Sequence, residues 1–217
     1  MREVNLLDSY PKIKRPIRAR ERSRPLQREV ARRFGQEYFD GDRTQGYGGY
    51  HYDGRWIPVA KHMQEFYGLT REHRILDVGC AKGFLLSDLQ RVIPGVRIAG
   101  LDVSAYAIEH AMDGVKPFLV IGTADQLPFP DKSFDLVISV NTIHNLELAR
   151  CKQAIREMER VSRAHKYLQV DSFLTEEQRQ NFERWQLTAL TYFSPEVWRR
   201  LFHELRYTGD YYWTITE

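Results

Sequence analysis

From residue 74 onward, short apolar runs alternate with stretches of helical period, and this alternation constrains the fold more than any other feature of the chain. RILDV (74–78), RIAGLDV (97–103), PFLVI (117–121), FDLVISV (134–140) and KYLQVDSF (166–173) read as strands that are apolar along most of their length. Strands of that kind are buried on both faces, which requires a parallel sheet with helices packed above and below it. FLLSDLQRV (84–92) and AYAIEHAM (105–112) carry helical spacing, and residues 146–161 set Leu148, Cys151, Ile155, Met158 and Val161 on one stripe. Right-handed crossovers then predict a doubly wound, mostly parallel α/β sandwich. Helices over about 175–190 and 195–205, and a last strand in DYYWTI, complete the pattern.

The region before the sheet divides in two. Residues 1–25 contain Pro11, Pro16 and Pro25 and few residues suited to a core, and predict a basic, partly disordered arm. Residues 1–33 hold eleven Lys and Arg against four Asp and Glu, a footprint that suits a solvated tail or contact with nucleic acid. Residues 26–69 predict a helical and aromatic region: Leu26, Val30 and Phe34 begin a helix ending near Phe39, and Pro58 opens another. Between them lies GYGGYHYDGRW (46–56), too rich in glycine for a helix and crowded with rings. The sheet domain proper spans residues 70–217.

No apolar run approaches the roughly 20 residues that span a bilayer. The N-terminus lacks the apolar stretch of a secretory signal, and Cys80 and Cys151 have neither metal-site nor disulfide spacing. These features predict a cytoplasmic protein without a membrane partner. His51 and Asp53 read as an exposed loop pair, so no metal is expected.

LDVGCAKGF (76–84) follows the first strand with a glycine-containing turn into a helix, where the backbone turns sharply and a ligand approaches without a Cβ in the way. Asp102, in GLDVS at the end of the second strand, lies 19 residues past Gly83, where a carboxylate accepts hydrogen bonds from a ribose diol. The turn is one residue shorter than a dinucleotide fingerprint and carries no phosphate-gripping Lys-Ser/Thr pair. This predicts a site for a nucleoside without a pyrophosphate.

LDVGCAKGF, GLDVS and GTADQLPFPDKSFDLVIS, in that order and spacing, resemble the class I S-adenosylmethionine-dependent methyltransferases over about residues 70–173. The resemblance implies that 70–217 is an S-adenosylmethionine-binding catalytic domain with a seven-stranded-type sheet. It implies that Gly79, Cys80, Ala81 and Gly83 line the methionine part of the cofactor, with Asp77 beneath. Asp102 would hold the ribose hydroxyls and Val103 would lie against the adenine. Ala124 and Asp125 would meet the adenine edge, the Asp125 carboxylate near its amino group, and Asn141 and Thr142 would flank the methyl group. Three features depart from the family pattern. Ala81 replaces the loop's central glycine, SRAHKYLQV replaces a Pro-Gly-Gly turn, and one strand follows the last helices where the family has a hairpin. Either one member of that hairpin is missing or the chain stops early.

His144, in NTIHNL at the mouth of the crevice, is the leading general-base candidate because imidazole titrates near neutral pH. Asp171 at the end of the fifth strand is a second candidate, for acceptor binding or proton removal. Asn145 suits a polar acceptor, and Trp185 belongs either to the core or to the acceptor pocket. The strip at 46–56 predicts either a lid, in which Tyr47, Tyr50, Tyr52 and Trp56 exclude water and face a sulfonium and Arg55 pairs with a carboxylate, or an Ω-like loop packed by its own rings. The expected reaction is methyl transfer to oxygen or nitrogen of a small polar acceptor. Other sulfonium chemistry (cyclisation, or transfer of another group) and an RNA methyltransferase using the basic arm stay open, as does a homodimer.

Overall fold

The computed structural model describes residues 1–11 and 25–215 of the 217-residue chain. Six strands, β1 (Arg74–Val78), β2 (Arg97–Asp102), β3 (Leu119–Ile121), β4 (Phe134–Val140), β5 (Ser162–Ser172) and β6 (Asp210–Ile215), make one sheet in the order β3-β2-β1-β4-β5-β6. Every pairing along it is parallel. The chain runs outward from β1 to β3 and then returns to the other side of β1 as β4. The order therefore reverses between β1 and β4, the place where open α/β sheets bind ligands.

Eight helices accompany the sheet: α1 (Pro25–Ala31), α2 (Gln36–Phe39), α3 (Ile57–Tyr67), α4 (Phe84–Val92), α5 (Ala105–Glu109), α6 (Leu148–Val161), α7 (Glu176–Trp185) and α8 (Pro195–Glu204), counted among the described residues. Successive strand residues alternate between two cores, as a pleat with period two demands. Ile75, Leu136, Ile138 and Tyr167 pack against Met63 of α3 and Leu86 and Leu89 of α4. Leu76, Val137 and Leu168 pack against Ile155 and Met158 of α6 and Trp198 and Phe202 of α8. The doubly wound sandwich read from the apolar runs is the observed architecture.

The sheet lacks one strand of the seven-stranded pattern, in line with the single strand read after the last helices: among the described residues β6 pairs directly with β5, with no antiparallel strand beside it. Two expectations change. The helix predicted to run from Leu26 to Phe39 is two helices, because Phe34 turns to φ 50° ahead of Gly35. Residues 1–11 do not stand away from the core. Glu3 bridges Tyr211 on the outer edge of β6, Arg2 grips Asp210 with two hydrogen bonds of 3.0 and 2.7 Å, and Leu6 is fully buried. A sheet edge is a row of unpaired N–H and C=O groups, and this segment satisfies part of that row. The rest of the predicted arm, residues 12–24, lies outside the described residues.

Candidate functional site

The carboxyl ends of β1, β2, β4, β5 and β6 open onto one cavity of about 1690 Å³. Single-ligand sites are commonly about 300–1,000 Å³, so this volume suits two molecules side by side.

One end is built by the turn after β1. The Gly79 and Cys80 amides both donate to the Leu101 carbonyl, at 2.7 and 3.1 Å, which folds the turn back over β2. Gly79 sits at φ 87°, and a Cβ there would fall 2.0 Å from Thr142 Oγ1; only glycine lets the two loops touch. Ala81 adopts φ 50° without being glycine, a strained conformation held by its N–H, which donates to Asp102 Oδ2 at 2.8 Å. Asp102 Oδ1 accepts from the Ser104 amide at 2.8 Å. Each carboxylate oxygen thus keeps a lone pair for a ligand hydroxyl. Burial raises the Asp102 pKa against these amides, which favour the anion. Asp77, almost fully buried beneath the turn, is pushed up to about 7 by burial and then by the neighbouring Asp102 charge.

Of the residues expected at this end, Asp77, Gly79, Cys80, Ala81, Asp102, Val103, Ala124, Asn141 and Thr142 line the cavity together. Val103 leaves about half its surface exposed there, an apolar platform beside Asp102. Gly83 is not in the wall. It supplies the left-handed residue that opens α4, with its missing Cβ facing Val115. Asp125 is not in the wall either. Arg150 takes both its oxygens, at 2.7 and 2.9 Å, and holds its pKa down, so the carboxylate expected at an adenine amino group is already engaged. Arg150 itself lines the cavity.

The aromatic strip divides. Tyr47, Tyr50 and Trp56 line the cavity, joined by Tyr38 and Phe39 of α2. Tyr50 stacks on Phe84 at 4.8 Å, and Trp56 packs on Tyr10 at 4.7 Å. Tyr52 instead turns away and donates to Asp88 Oδ1 at 2.5 Å. Arg55, expected to meet a ligand carboxylate, lies outside the wall and holds Asp53 through Nε at 2.7 Å. Sequence spacing gave no hint of what ties the strip down. Buried Lys82, inside the glycine turn, donates to Asp40 Oδ2 at 2.6 Å and to the Tyr50 carbonyl at 3.0 Å. Asp40 also accepts from Tyr106 and from the Tyr50 amide. Burial alone would raise the Asp40 pKa; its hydrogen bond from Lys82 and the amide bring it to about 2.

His144 and Asp171 are brought together, but away from the wall. Neither lines the cavity, and both are buried. The Asp171 amide donates to His144 Nδ1 at 3.1 Å, which leaves the ring proton on Nε2, 3.2 Å from Asp171 Oδ2. Burial lowers the His144 pKa, opposed by the Asp171 charge. Both ring nitrogens are used inside the fold, in contrast to the free base expected from its place in NTIHNL. The His144 carbonyl accepts from Leu190 and Thr191, so the pair pins the segment after α7 to the loop after β4. Asn145 and Trp185 do line the cavity.

Residues 76–169 match the family model for a methyltransferase domain. The chain is 32% identical over 122 residues to the demethylmenaquinone methyltransferase of Tropheryma whipplei, covering 55% of this chain and 48% of that one. It is 36% identical over 75 residues to the malonyl-[acyl-carrier protein] O-methyltransferase of Legionella pneumophila, covering 33% and 26%. Its fold is shared with the YcgJ protein of Bacillus subtilis, at a TM-score of 0.53 and 21% identity over 67% of this chain and 66% of that one. The chain spans about half the length, or less, of these two curated relatives. No helix among the described residues is long and apolar enough to cross a membrane.

Proposed function

We propose that this protein, whose residues 76–169 match a methyltransferase domain, is a class I S-adenosylmethionine-dependent methyltransferase that methylates an oxygen or nitrogen atom of a small polar acceptor. S-Adenosylmethionine is the cofactor of this family, and when bound it supplies an electrophilic methyl group on a sulfonium sulfur. The donor set suits it: a glycine turn too close for any Cβ, a carboxylate with free lone pairs on both oxygens, and an apolar shelf next to them. In this reading Asp102 holds the ribose hydroxyls, and Val103 and Ala124 flank the base. Asp77, Gly79, Cys80 and Ala81 enclose the methionine part, and Asn141 and Thr142 stand beside the reacting centre.

A displacement at carbon needs alignment and the exclusion of water more than it needs functional groups. The aromatic strip serves as the lid that provides both: Tyr47 and Tyr50 put rings suited to a cation in the cavity wall, and Lys82 fastens the strip to the turn at Tyr50. His144 and Asp171 hold the acceptor-side loops in place. Residues 26–69 act as this lid region, and 70–217 as the catalytic domain. The O-methyltransferase named among the relatives supports an oxygen acceptor. The two buried, free cysteines accord with a reducing, cytoplasmic setting.

The observation that carries the reading is the single cavity joining the Gly79–Ala81 turn and Asp102 to the aromatic wall. Calorimetry should show S-adenosylmethionine and its demethylated product binding the wild type, and Asp102→Ala should weaken both about 100-fold, the scale of a lost hydrogen bond to a charged group. Absence of binding to folded wild type overturns the proposal. Thioadenosine formed from the cofactor without an acceptor points instead to other sulfonium chemistry.

A further inference from the structure

Four side chains at the ends of β4, β5 and β6 form one hydrogen-bonded line with a fixed direction. The Leu6 amide donates to the Tyr167 hydroxyl at 3.3 Å, and that hydroxyl donates to Gln169 Oε1 at 2.9 Å. Gln169 Nε2 donates to Thr214 Oγ1 at 2.9 Å, and the Thr214 hydroxyl donates to Asn141 Oδ1 at 2.8 Å. A backbone N–H only donates, so Tyr167 passes its single proton onward. Gln169 is thereby oriented carbonyl first, its amide turns to Thr214, and Thr214 has one proton to hand on. The line ends with the Asn141 oxygen occupied and its NH₂ group as the remaining polar end. Tyr167 and Gln169 are buried, so the orientation is set inside the fold; Asn141 is exposed in the cavity wall.

The acids in that wall are Asp77 and Asp102, both at the cofactor end, and no histidine, lysine or glutamate lines the cavity among the described residues. The half bounded by β4, β5 and β6 therefore offers a hydrogen-bond donor and no base. Next to it Leu7, Tyr10, Trp56 and Tyr212 pack on one core and line the same space. A neutral hydroxyl or an ammonium must lose a proton to become a nucleophile, whereas a carboxylate is ionised at neutral pH.

We infer that the acceptor is a carboxylic acid with an aliphatic or aromatic body, its carboxylate received by the Asn141 NH₂ group and its body lying against Leu7, Tyr10, Trp56 and Tyr212. The inference rests on the methyltransferase reading and narrows it to ester formation. The new O–C bond takes its electron pair from the carboxylate, the C–S pair stays on sulfur, and no proton moves. Thr214, Gln169 and Tyr167 are positioning residues, acting through Asn141.

Octanoate and 3-phenylpropionate, titrated calorimetrically into protein saturated with S-adenosylhomocysteine, should bind at least about 10-fold more tightly than octanamide, 3-phenylpropionamide or octanol. Asn141→Asp, which sets a carboxylate against the ligand, should lose carboxylate binding by at least tenfold more than it loses S-adenosylhomocysteine. Thr214→Val, which frees the Asn141 amide to turn over, should weaken the carboxylates about 3- to 10-fold while its thermal midpoint stays close to wild type. Amides binding as well as carboxylates, or Asn141→Asp acting chiefly on S-adenosylhomocysteine, overturns this inference. Failure of S-adenosylhomocysteine to bind the wild type overturns the methyltransferase reading instead, so the two failures are distinguishable.

Discussion

Asp77→Asn should make the ligand-free protein more stable, and by an amount that depends on pH. Asp77 lies beneath the glycine turn, almost fully buried, and its pKa is pushed up to about 7 by burial and by the Asp102 charge. In the unfolded chain it returns to near 3.9. Between those values the folded protein keeps a proton that the unfolded chain has released, so stability falls as pH rises from about 4 and levels off above about 7. Three pH units at 1.36 kcal/mol each set a ceiling of about 4 kcal/mol, and structural relaxation brings the expected loss to roughly 2–4 kcal/mol. Asparagine keeps the shape and has no charge to bury. Its thermal midpoint at pH 8 should therefore exceed that of wild type by roughly 5–15 °C for a chain of this size, and the two should converge near pH 4. Scanning calorimetry of both proteins across that range, without ligand, measures the difference. The variant should also bind S-adenosylmethionine more weakly, since the charge retained at that cost faces the cofactor end of the cavity. Equal midpoints at pH 8, or parallel pH profiles, would refute the assignment of a strained carboxylate beneath the turn.

Three further substitutions test separate parts of the site. Gly79→Ala places a methyl group against Thr142 at φ 87° and should cost about 2–4 kcal/mol in denaturant unfolding. His144→Ala leaves the buried Asp171 carboxylate without its partner and should cost about 3–5 kcal/mol; a fall in turnover with an unchanged midpoint would return His144 to the chemistry. Lys82→Met removes the tie from the turn to Asp40 and the Tyr50 carbonyl, and should speed proteolytic cleavage within residues 46–56 severalfold, read by mass spectrometry of the fragments.

The sheet was legible because its signal is local. Strands such as FDLVISV are apolar at almost every position, and burial of both faces follows directly. The turn and Asp102 were legible for a similar reason, since the distance between them along the chain is the length of one helix and one strand. Charge pairing was not. Asp125 was placed at the adenine edge, yet its carboxylate is held by Arg150, 25 residues away at the start of α6. In the sequence His144 reads as a candidate base and Asp171 as a candidate for acceptor binding or proton removal; in the fold they contact each other across 27 residues and neither lines the wall. Arg55 has an aspartate two residues earlier, and that nearest partner took it. A titratable side chain in a sequence states what it can bind; which group reaches it first is decided by packing between distant elements.

The segment at residues 1–11 shows how far that packing extends. Its sequence offers Val4, Leu6 and Leu7 among charged neighbours, too little to predict a core contribution. Because β6 pairs with β5 on one side, its outer edge is open, and Arg2, Glu3 and Val4 run along it, the Val4 amide reaching the Tyr211 carbonyl at 3.0 Å. That docking has a second consequence. It delivers the Leu6 amide to Tyr167, the first donor in the line that ends at Asn141, and it stands Leu7 and Tyr10 in the cavity wall. Closing the sheet edge and shaping this end of the cavity are thus one event. A substitution at Arg2, remote from any cofactor contact, should act on acceptor affinity before it acts on cofactor affinity. Arg2→Ala removes both side-chain bonds to Asp210 and keeps the one from the Arg2 amide, and the resulting ratio of the two affinities, measured by calorimetry, checks whether the edge segment belongs to the site.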